Sequence, residues 1–181
     1  MKFLLEIHQH AGVHVDIEKP FWWDVPVWIA SGMVDSIGIN NSHMQRDKMN
    51  NTEAWGKPRD KQLFNGKVAN GKWSQHIYYQ ILNTGHRIPP SAGSASGVRH
   101  SPVGYNRVYV YCGEQFSWDT WWENLRAGKV VVTNGPMLRP RVNGELPGHV
   151  FKAAAGETVT LSPTLSLAFQ EKGEYLEIIR D

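Results

Sequence analysis

The chain of 181 residues fits one domain, with or without a short appendage, and is long enough to bury a hydrophobic core. Its formal net charge of +2 and its scattered basic residues argue against a nucleic-acid partner. The single cysteine, Cys112, excludes an internal disulfide. No apolar stretch approaches the ~20 residues that span a bilayer, and the N-terminus lacks a signal-peptide cleavage site. We therefore expect a soluble protein without a membrane partner, in a compartment that the sequence does not specify.

The first forty residues alternate between helical and extended patterns. Phe3, Leu4 and Ile7 share one helical face, whereas residues 13–17 alternate apolar and polar side chains as a strand does. The predicted elements are, in chain order, a helix over 2–9, a strand over 13–17, an aromatic loop over 20–26, a helix over 27–33 and a strand over 34–39.

A long polar loop over residues 40–71 separates this region from the next helix. Trp55 within it predicts that the loop is fixed to the body of the protein. Further along, Ser117 is the expected N-cap of a helix that Gly128 ends. The predicted elements are a helix over 74–83, a loop of small residues over 88–97, a strand over 106–111, a helix over 118–127 and a strand over 129–133.

The character of the chain changes after residue 136, where Pro, Gly and β-forming residues begin to alternate. Residues 142–145, Val-Asn-Gly-Glu, have the composition of a hairpin turn, and residues 175–179 predict a final strand. The sequence therefore predicts two segments, with a strand–helix rhythm over residues 1–136 and a β-rich pattern over residues 137–181.

Three parts of the chain resemble the CehA/McbA-like metallohydrolases of the PHP (polymerase and histidinol phosphatase) superfamily. The Thr-Asn-Gly-Pro run that ends at Pro136 is similar to the end of that family's closing strand, helix and strand. A second part is similar to its L-N-x-G…G-S-D-x-H region, and a third resembles a sub-branch of the family. The three parts are residues 106–110 with 125–136, residues 82–94, and residues 19–26 with 34–37.

The resemblance implies an α/β fold, namely a partial, distorted PHP-like (β/α) barrel followed by a short all-β segment. It also implies hydrolysis of an ester-like bond (a carboxyl ester, carbamate or phosphoester) by metal-bound water at the carboxyl ends of the strands. Two departures matter. The family's H-x-H strand is absent, since His8 and His10 lie at the end of a predicted helix, and its D-x-H pair falls at Ala95 and Gly97, which cannot bind a metal.

The strongest candidate for a metal site is the polar face of the strand predicted over residues 13–17. A strand that continues by one residue places His14, Asp16 and Glu18 on one face. His43 follows the next predicted strand closely, where a barrel ligand belongs. Imidazole and carboxylate groups suit Zn, Mn or Fe, so we expect one divalent metal at full or partial occupancy. The alternative is an edge strand facing solvent and a surface histidine.

Asp16 and His100 are the candidate catalytic bases, because a carboxylate or an imidazole beside metal-bound water can accept its proton. Four further side chains are candidates to hold a small ester-like substrate: Lys19, Trp22, Trp23 and Arg107. For the two cations the alternative role is a structural ion pair, and for the two tryptophans it is packing.

Two other classes of function are weighed against the metallohydrolase. A serine hydrolase is poorly supported, because Ala95 stands where the nucleophile elbow between Gly93 and Gly97 needs serine. The second class is a catalytically inactive barrel remnant that binds a ligand or a partner chain through its tryptophan-rich surface.

An incomplete barrel also leaves open strand edges, which predict a homo-oligomer.

Overall fold

The computed structural model describes residues 2–168 and 175–180, and the protein is a mixed α/β chain with small sheets. The described residues contain four helices: α1 (Lys2–Ile7), α2 (Val25–Ala30), α3 (Ala69–Asn83) and α4 (Trp118–Arg126). They also contain seven strands: β1 (Asp16–Ile17), β2 (Ser36–Asn40), β3 (Pro90–Ala92), β4 (Arg107–Val110), β5 (Val130–Thr133), β6 (Met137–Val142) and β7 (Pro163–Ala168). These strands form three separate sheets, so the described part of the chain contains no closed barrel. No helix within the described ranges has the length and apolar character needed to cross a membrane.

The main hydrophobic core lies on one face of a parallel sheet. β1, β2 and β3 form this sheet in that order, and α2 and α3 connect its strands. Ile17 pairs with the fully buried Ile37, and both pack with Ile29 of α2 and Ile81 of α3. The two helices therefore cover the same face, which confirms the predicted strand–helix rhythm in this part of the chain.

The opposite face of the parallel sheet is polar. Asp16 pairs with Ser36, one residue before the buried isoleucine pair, and Ser91 pairs with Gly38. Because successive side chains of a strand point to opposite faces, Asp16, Ser36 and Ser91 lie together on the face away from α2 and α3.

The second sheet is the antiparallel pair of β4 and β5, which α4 connects. Arg107 lies opposite Thr133 at one end of this pair. The Ser117 side chain accepts a hydrogen bond from the main-chain N–H of Thr120 at 3.0 Å. This bond confirms Ser117 as the N-cap of α4, because it satisfies one of the free N–H groups at the start of the helix.

Asn106 connects the second sheet to the first through side-chain hydrogen bonds. Only 3% of this residue is exposed, and it lies immediately before β4. Its Nδ2 atom is within hydrogen-bond distance of three main-chain oxygens, those of Asn41 at 3.0 Å, Met44 at 2.9 Å and Gly93 at 3.3 Å. The segments that follow β2 and β3 are therefore held by one buried carboxamide.

The third sheet confirms the β-rich character of the segment after residue 136. β6 and β7 pair antiparallel along their whole length. Asn143 and Gly144 both have positive φ angles, and the residues that flank them, Val142 and Glu145, form an antiparallel bridge. The predicted turn is thus confirmed, since two consecutive positive φ angles are typical of a tight hairpin turn.

The strand predicted over residues 175–179 is wrong, since residues 175–180 lie outside any helix or strand. Alternating side chains favour a strand only where a neighbouring strand accepts its hydrogen bonds. Tyr175 is 80% exposed, so the apolar residues of this segment do not pack into the core.

Two differences concern the parallel sheet itself. The strand predicted over residues 13–17 shrinks to β1, because the main-chain N–H of Val15 donates to the Asp35 carboxylate at 2.7 Å instead of to a neighbouring strand. β3 lies in the segment over residues 88–97 that was predicted to be a loop of small residues. Pro90 is tolerated there because β3 is an edge strand, where a missing N–H leaves no ladder bond unmade.

The long loop over residues 40–71 is fixed to the body of the protein, although not by its tryptophan. Trp55 is 88% exposed. The main-chain N–H of Lys57 instead donates to the Phe21 carbonyl at 2.7 Å, and the carboxamide of the buried Asn70 donates to the Thr52 carbonyl at 3.0 Å. The second bond joins the loop to the first turn of α3, which begins earlier than the sequence predicts.

Replacing Gly38 by alanine is expected to destabilise the protein by about 2 kcal/mol or more. A Cβ atom at Gly38 would lie 2.3 Å from the Glu18 carbonyl oxygen, and a main-chain atom cannot move aside as a side chain can. Gly93→Ala is the matched control, because a Cβ atom there meets nothing within 4 Å. Urea unfolding of both variants measures the difference. Equal stability of the two would contradict the close approach of β1 and β2.

Candidate functional site

Four polar side chains form one hydrogen-bonded cluster on the polar side of the parallel sheet. We call this cluster, made of His14, Asp16, Ser36 and Ser91, the Asp16 face. The Ser36 hydroxyl donates to Asp16 Oδ1 at 2.5 Å, and the Ser91 hydroxyl donates to the same oxygen. Ser36 and Ser91 are 1% and 8% exposed, whereas Asp16 is exposed. Two buried hydroxyls therefore hold the carboxylate on the side that faces the protein, while its other side faces solvent.

His14 extends the hydrogen-bonded chain. Its Nε2 atom lies 2.8 Å from the Ser36 hydroxyl oxygen. Because that hydroxyl already donates to Asp16, Nε2 carries the proton and donates, and Nδ1 is a buried acceptor without a partner among the described residues. Burial lowers the pKa of His14, an effect that Arg126 reinforces and that Asp35 and Asp16 oppose.

A row of aromatic rings leads from His14 along α4 to the surface. The Trp122 ring centroid lies 5.1 Å from that of His14, and Trp121 stands edge-on to Trp122 at 4.7 Å. Trp118 and Phe116 continue the row, with 67% and 62% of each residue exposed. Indole and phenyl rings exposed in this way offer a large apolar surface that begins beside His14.

Glu18 and Lys19 belong to a second polar cluster, beyond the carboxyl end of β1. The Lys19 ammonium forms an ion pair with the Glu18 carboxylate, and the Ser42 hydroxyl donates to the same carboxylate at 2.8 Å. Lys19 is 8% exposed, and its Nζ lies 5.5 Å from the centre of the Trp22 ring. Lys19 thus forms an ion pair with the half-exposed Glu18 carboxylate, which is the structural role that the sequence left open.

His43 lies at the carboxyl end of β2 as predicted, but inside the protein. It is 1% exposed, its ring centroid lies 5.4 Å from that of Phe21, and its Nδ1 atom has no partner among the described residues. Burial lowers the pKa of His43 most, followed by the positive charges of Lys19 and Arg99, while Glu18 and the Thr52 main chain act in the opposite direction. The interpretation of His43 as a surface histidine is therefore wrong.

The four predicted metal ligands do not fit a single ion in this arrangement. Within residues 2–168 and 175–180, no three His, Cys, Asp or Glu side chains are grouped closely enough to hold a metal. His14 and Asp16 bond to serines on the Asp16 face, whereas Glu18 is neutralised by Lys19. A lysine ammonium therefore occupies the position beside Glu18 that a cation would take.

The predicted substrate-binding residues lie in different places. Trp22 and Trp23 line a cavity of about 650 Å³ between α2 and α3, on the side of the sheet away from Asp16. Arg107 donates four hydrogen bonds, to the Tyr109 hydroxyl and to the carbonyls of Gly104, Tyr105 and Gly135. The guanidinium thus holds the start of β4 to the segment after β5 by hydrogen bonds to carbonyl groups, and not by the ion pair that was the alternative role.

His100, the second candidate base, is exposed and lines a separate polar cavity together with Lys48 and Arg99. None of the residues of the Asp16 face lines that cavity. Of the two predicted bases, only Asp16 therefore lies on the polar side of the parallel sheet.

Sequence reasoning missed the serines and the tryptophan that complete the site. Ser36 and Ser91 bond to Asp16, and Ser42 bonds to Glu18. A signal existed for Ser36, since it precedes Ile37 in an apolar strand and so must face the other way. No comparable signal places Ser91 or Trp122, because their contacts depend on how distant parts of the chain pack.

Comparison of the chain with models of known protein families, with curated proteins and with solved structures finds no match in any of the three.

The protein is expected to lose stability as the pH falls below about 6.5. Burial lowers the pKa of both His14 and His43 from the ordinary value of 6.5, so the unfolded chain binds protons more readily than the folded protein does. Stability is thus complete above that pH and falls as the unfolded state takes up protons. The melting temperature, measured from about pH 8 to about pH 5.5, checks this.

The variant His43→Gln should show a smaller decrease in melting temperature over the same pH range than the unaltered protein. His10→Gln is the control, because it removes one imidazole from the exposed surface. If His43→Gln and the unaltered protein lose stability in parallel, the buried position of His43 is not the source of the acid sensitivity.

Proposed function

We propose that the protein is a ligand-binding module that takes up a small, neutral, hydroxyl-rich molecule, such as a saccharide, on the Asp16 face. The proposal belongs to the second class of function, a barrel remnant that binds rather than hydrolyses. One observation carries it, namely that the exposed Asp16 carboxylate is held in place by two buried serine hydroxyls through one oxygen only.

The free oxygen of Asp16 supports a hydroxyl-bearing ligand. Oδ2 accepts no hydrogen bond from the described residues, whereas Oδ1 accepts two. A carboxylate accepts hydroxyl hydrogens in charge-assisted bonds that are roughly twice as strong as neutral ones. The serines hold the group in one orientation, so little of the binding energy is lost in ordering it.

The aromatic row that begins beside His14 supports a ligand with both polar and apolar faces. Trp122 lies next to His14, and sugar rings present C–H groups on one face and hydroxyls around the rim. The Arg126 guanidinium lies 5.8 Å from the centre of the Trp122 ring. This positive charge disfavours an organic ammonium as the ligand, although aromatic rings and a carboxylate would otherwise suit one.

Titration with a panel of monosaccharides and their methyl glycosides, followed by calorimetry or by NMR shifts, tests the proposal. Asp16→Asn is expected to weaken saccharide binding by at least about tenfold, since a bond to a charged group contributes roughly 1.5–3 kcal/mol. Asp119→Asn is the matched control, because it removes an exposed carboxylate of α4. Equal affinity of the two variants, or binding of tetramethylammonium in place of sugars, would refute the proposal.

A second candidate is metal-dependent hydrolysis of an ester-like bond. One observation favours it: Glu18 and His43 lie at the carboxyl ends of neighbouring parallel strands, where barrel hydrolases place their chemistry. The β1-α2-β2-α3-β3 unit supports a partial PHP-like barrel in the same way, with two helices on the outer face. The present positions of the predicted ligands do not form a metal site within the described residues.

Elemental analysis of the purified protein, together with ester and phosphoester turnover assays with and without chelator, decides between the two candidates. A ligand-binding module is expected to show no stoichiometric metal and no chelator-sensitive turnover. About one bound metal per chain, with turnover that is lost in both chelator and the Asp16→Asn variant, would establish the hydrolase instead.

A further inference from the structure

We propose that a cavity beside the segment after β2 is a binding site for an oxyanion, either a phosphoryl group or a carboxylate-bearing molecule. The cavity encloses about 480 Å³ and is lined by Lys48, Arg99 and His100 together with Gln45, Asn50 and Asn51. This proposal is independent of the ligand proposed for the Asp16 face, because the two sites share no residue.

The charge of the cavity is one-sided. None of its described lining residues carries a carboxylate, and neither Lys48 nor Arg99 forms an ion pair within the described part of the chain. Two cations and a histidine directed at one cavity, without a balancing acid, produce a local positive potential that attracts anions. An anionic ligand would supply the missing negative charge.

Gln45 adds a neutral polar side chain to the lining of the cavity. This residue is only 9% exposed, it lines the cavity, and its side chain makes no hydrogen bond with the described residues. Its main-chain N–H, in contrast, lies within bonding distance of the His43 and Lys48 carbonyls. The amide atoms of Gln45 are not among the fully buried polar atoms that lack a partner, so the carboxamide reaches the solvent in the cavity, where it can donate to a ligand.

The donors match an oxyanion in kind. The Arg99 guanidinium offers a planar fork of N–H groups that fits two oxygens of a phosphate or carboxylate, and the Lys48 ammonium adds a point charge. The Gln45 carboxamide adds a neutral N–H donor. The volume falls within the range of small-molecule sites, so an organic group attached to the anion also fits.

NMR titration of the full chain with inorganic phosphate, and separately with malonate, tests the proposal. Saturable shifts are expected for the main-chain amides of residues 45–51 and 98–100, and the tighter of the two probes identifies the anion class. Arg99→Gln and Lys48→Gln should each weaken binding by at least about tenfold. Arg99→Lys, which keeps the charge and loses the fork, should give an intermediate affinity.

Two further variants separate a specific site from general attraction to positive charge. Gln45→Leu leaves the net charge unchanged and should still weaken binding. Lys61→Gln removes an exposed cation of the same loop that does not line the cavity, and it should bind like the unaltered protein. Shifts spread over many surface cations, or equal weakening by Lys61→Gln and Lys48→Gln, would overturn the proposal, as would binding of both probes weaker than about 10 mM.

Discussion

Two serine hydroxyls from neighbouring parallel strands meet on one oxygen of the Asp16 carboxylate, and the polar half of the sheet depends on this contact. β1 is only two residues long and pairs with β2 alone, so its main chain is held by few ladder bonds. Asp16 adds a link across all three strands, because Ser36 belongs to β2 and Ser91 to β3. The same link orients the carboxylate toward solvent, so that the stability of the sheet and the geometry of the candidate site have one origin.

The sequence predicted the parts of the fold that periodicity and local chemistry determine. The Ser117 cap and the Asn143-Gly144 turn are encoded within a few residues of each feature. What it could not predict depends on distant neighbours. Pro90 belongs to a strand because β2 lies beside it. Residues 175–179 form no strand, although their alternating pattern is suitable for one. The extent of β1 was misjudged because a side chain, Asp35, replaces a main-chain partner.

The candidate site was predicted in the same uneven way. Strand periodicity correctly placed His14 and Asp16 in one cluster, and the end of β2 correctly located His43. Periodicity does not report which polar side chain will neutralise which, and Lys19 therefore proved to be the partner of Glu18. Three of the four predicted metal ligands thus belong to two hydrogen-bonded clusters, one around Asp16 and one around Glu18, and His43 is buried against Phe21. Electrostatic partnership between residues close in space is the information that a single sequence lacks.

The distance along the chain between Asp16 and Ser91 has a consequence for the order of folding. The two residues are 75 positions apart, whereas β4, α4 and β5 form a unit within residues 107–133. Closing a long loop carries a larger entropy loss than closing a short one, and non-local pairing slows folding. In refolding of the complete chain, the contact between Asp16 and Ser91 is therefore expected to form later than the local β4–α4–β5 unit.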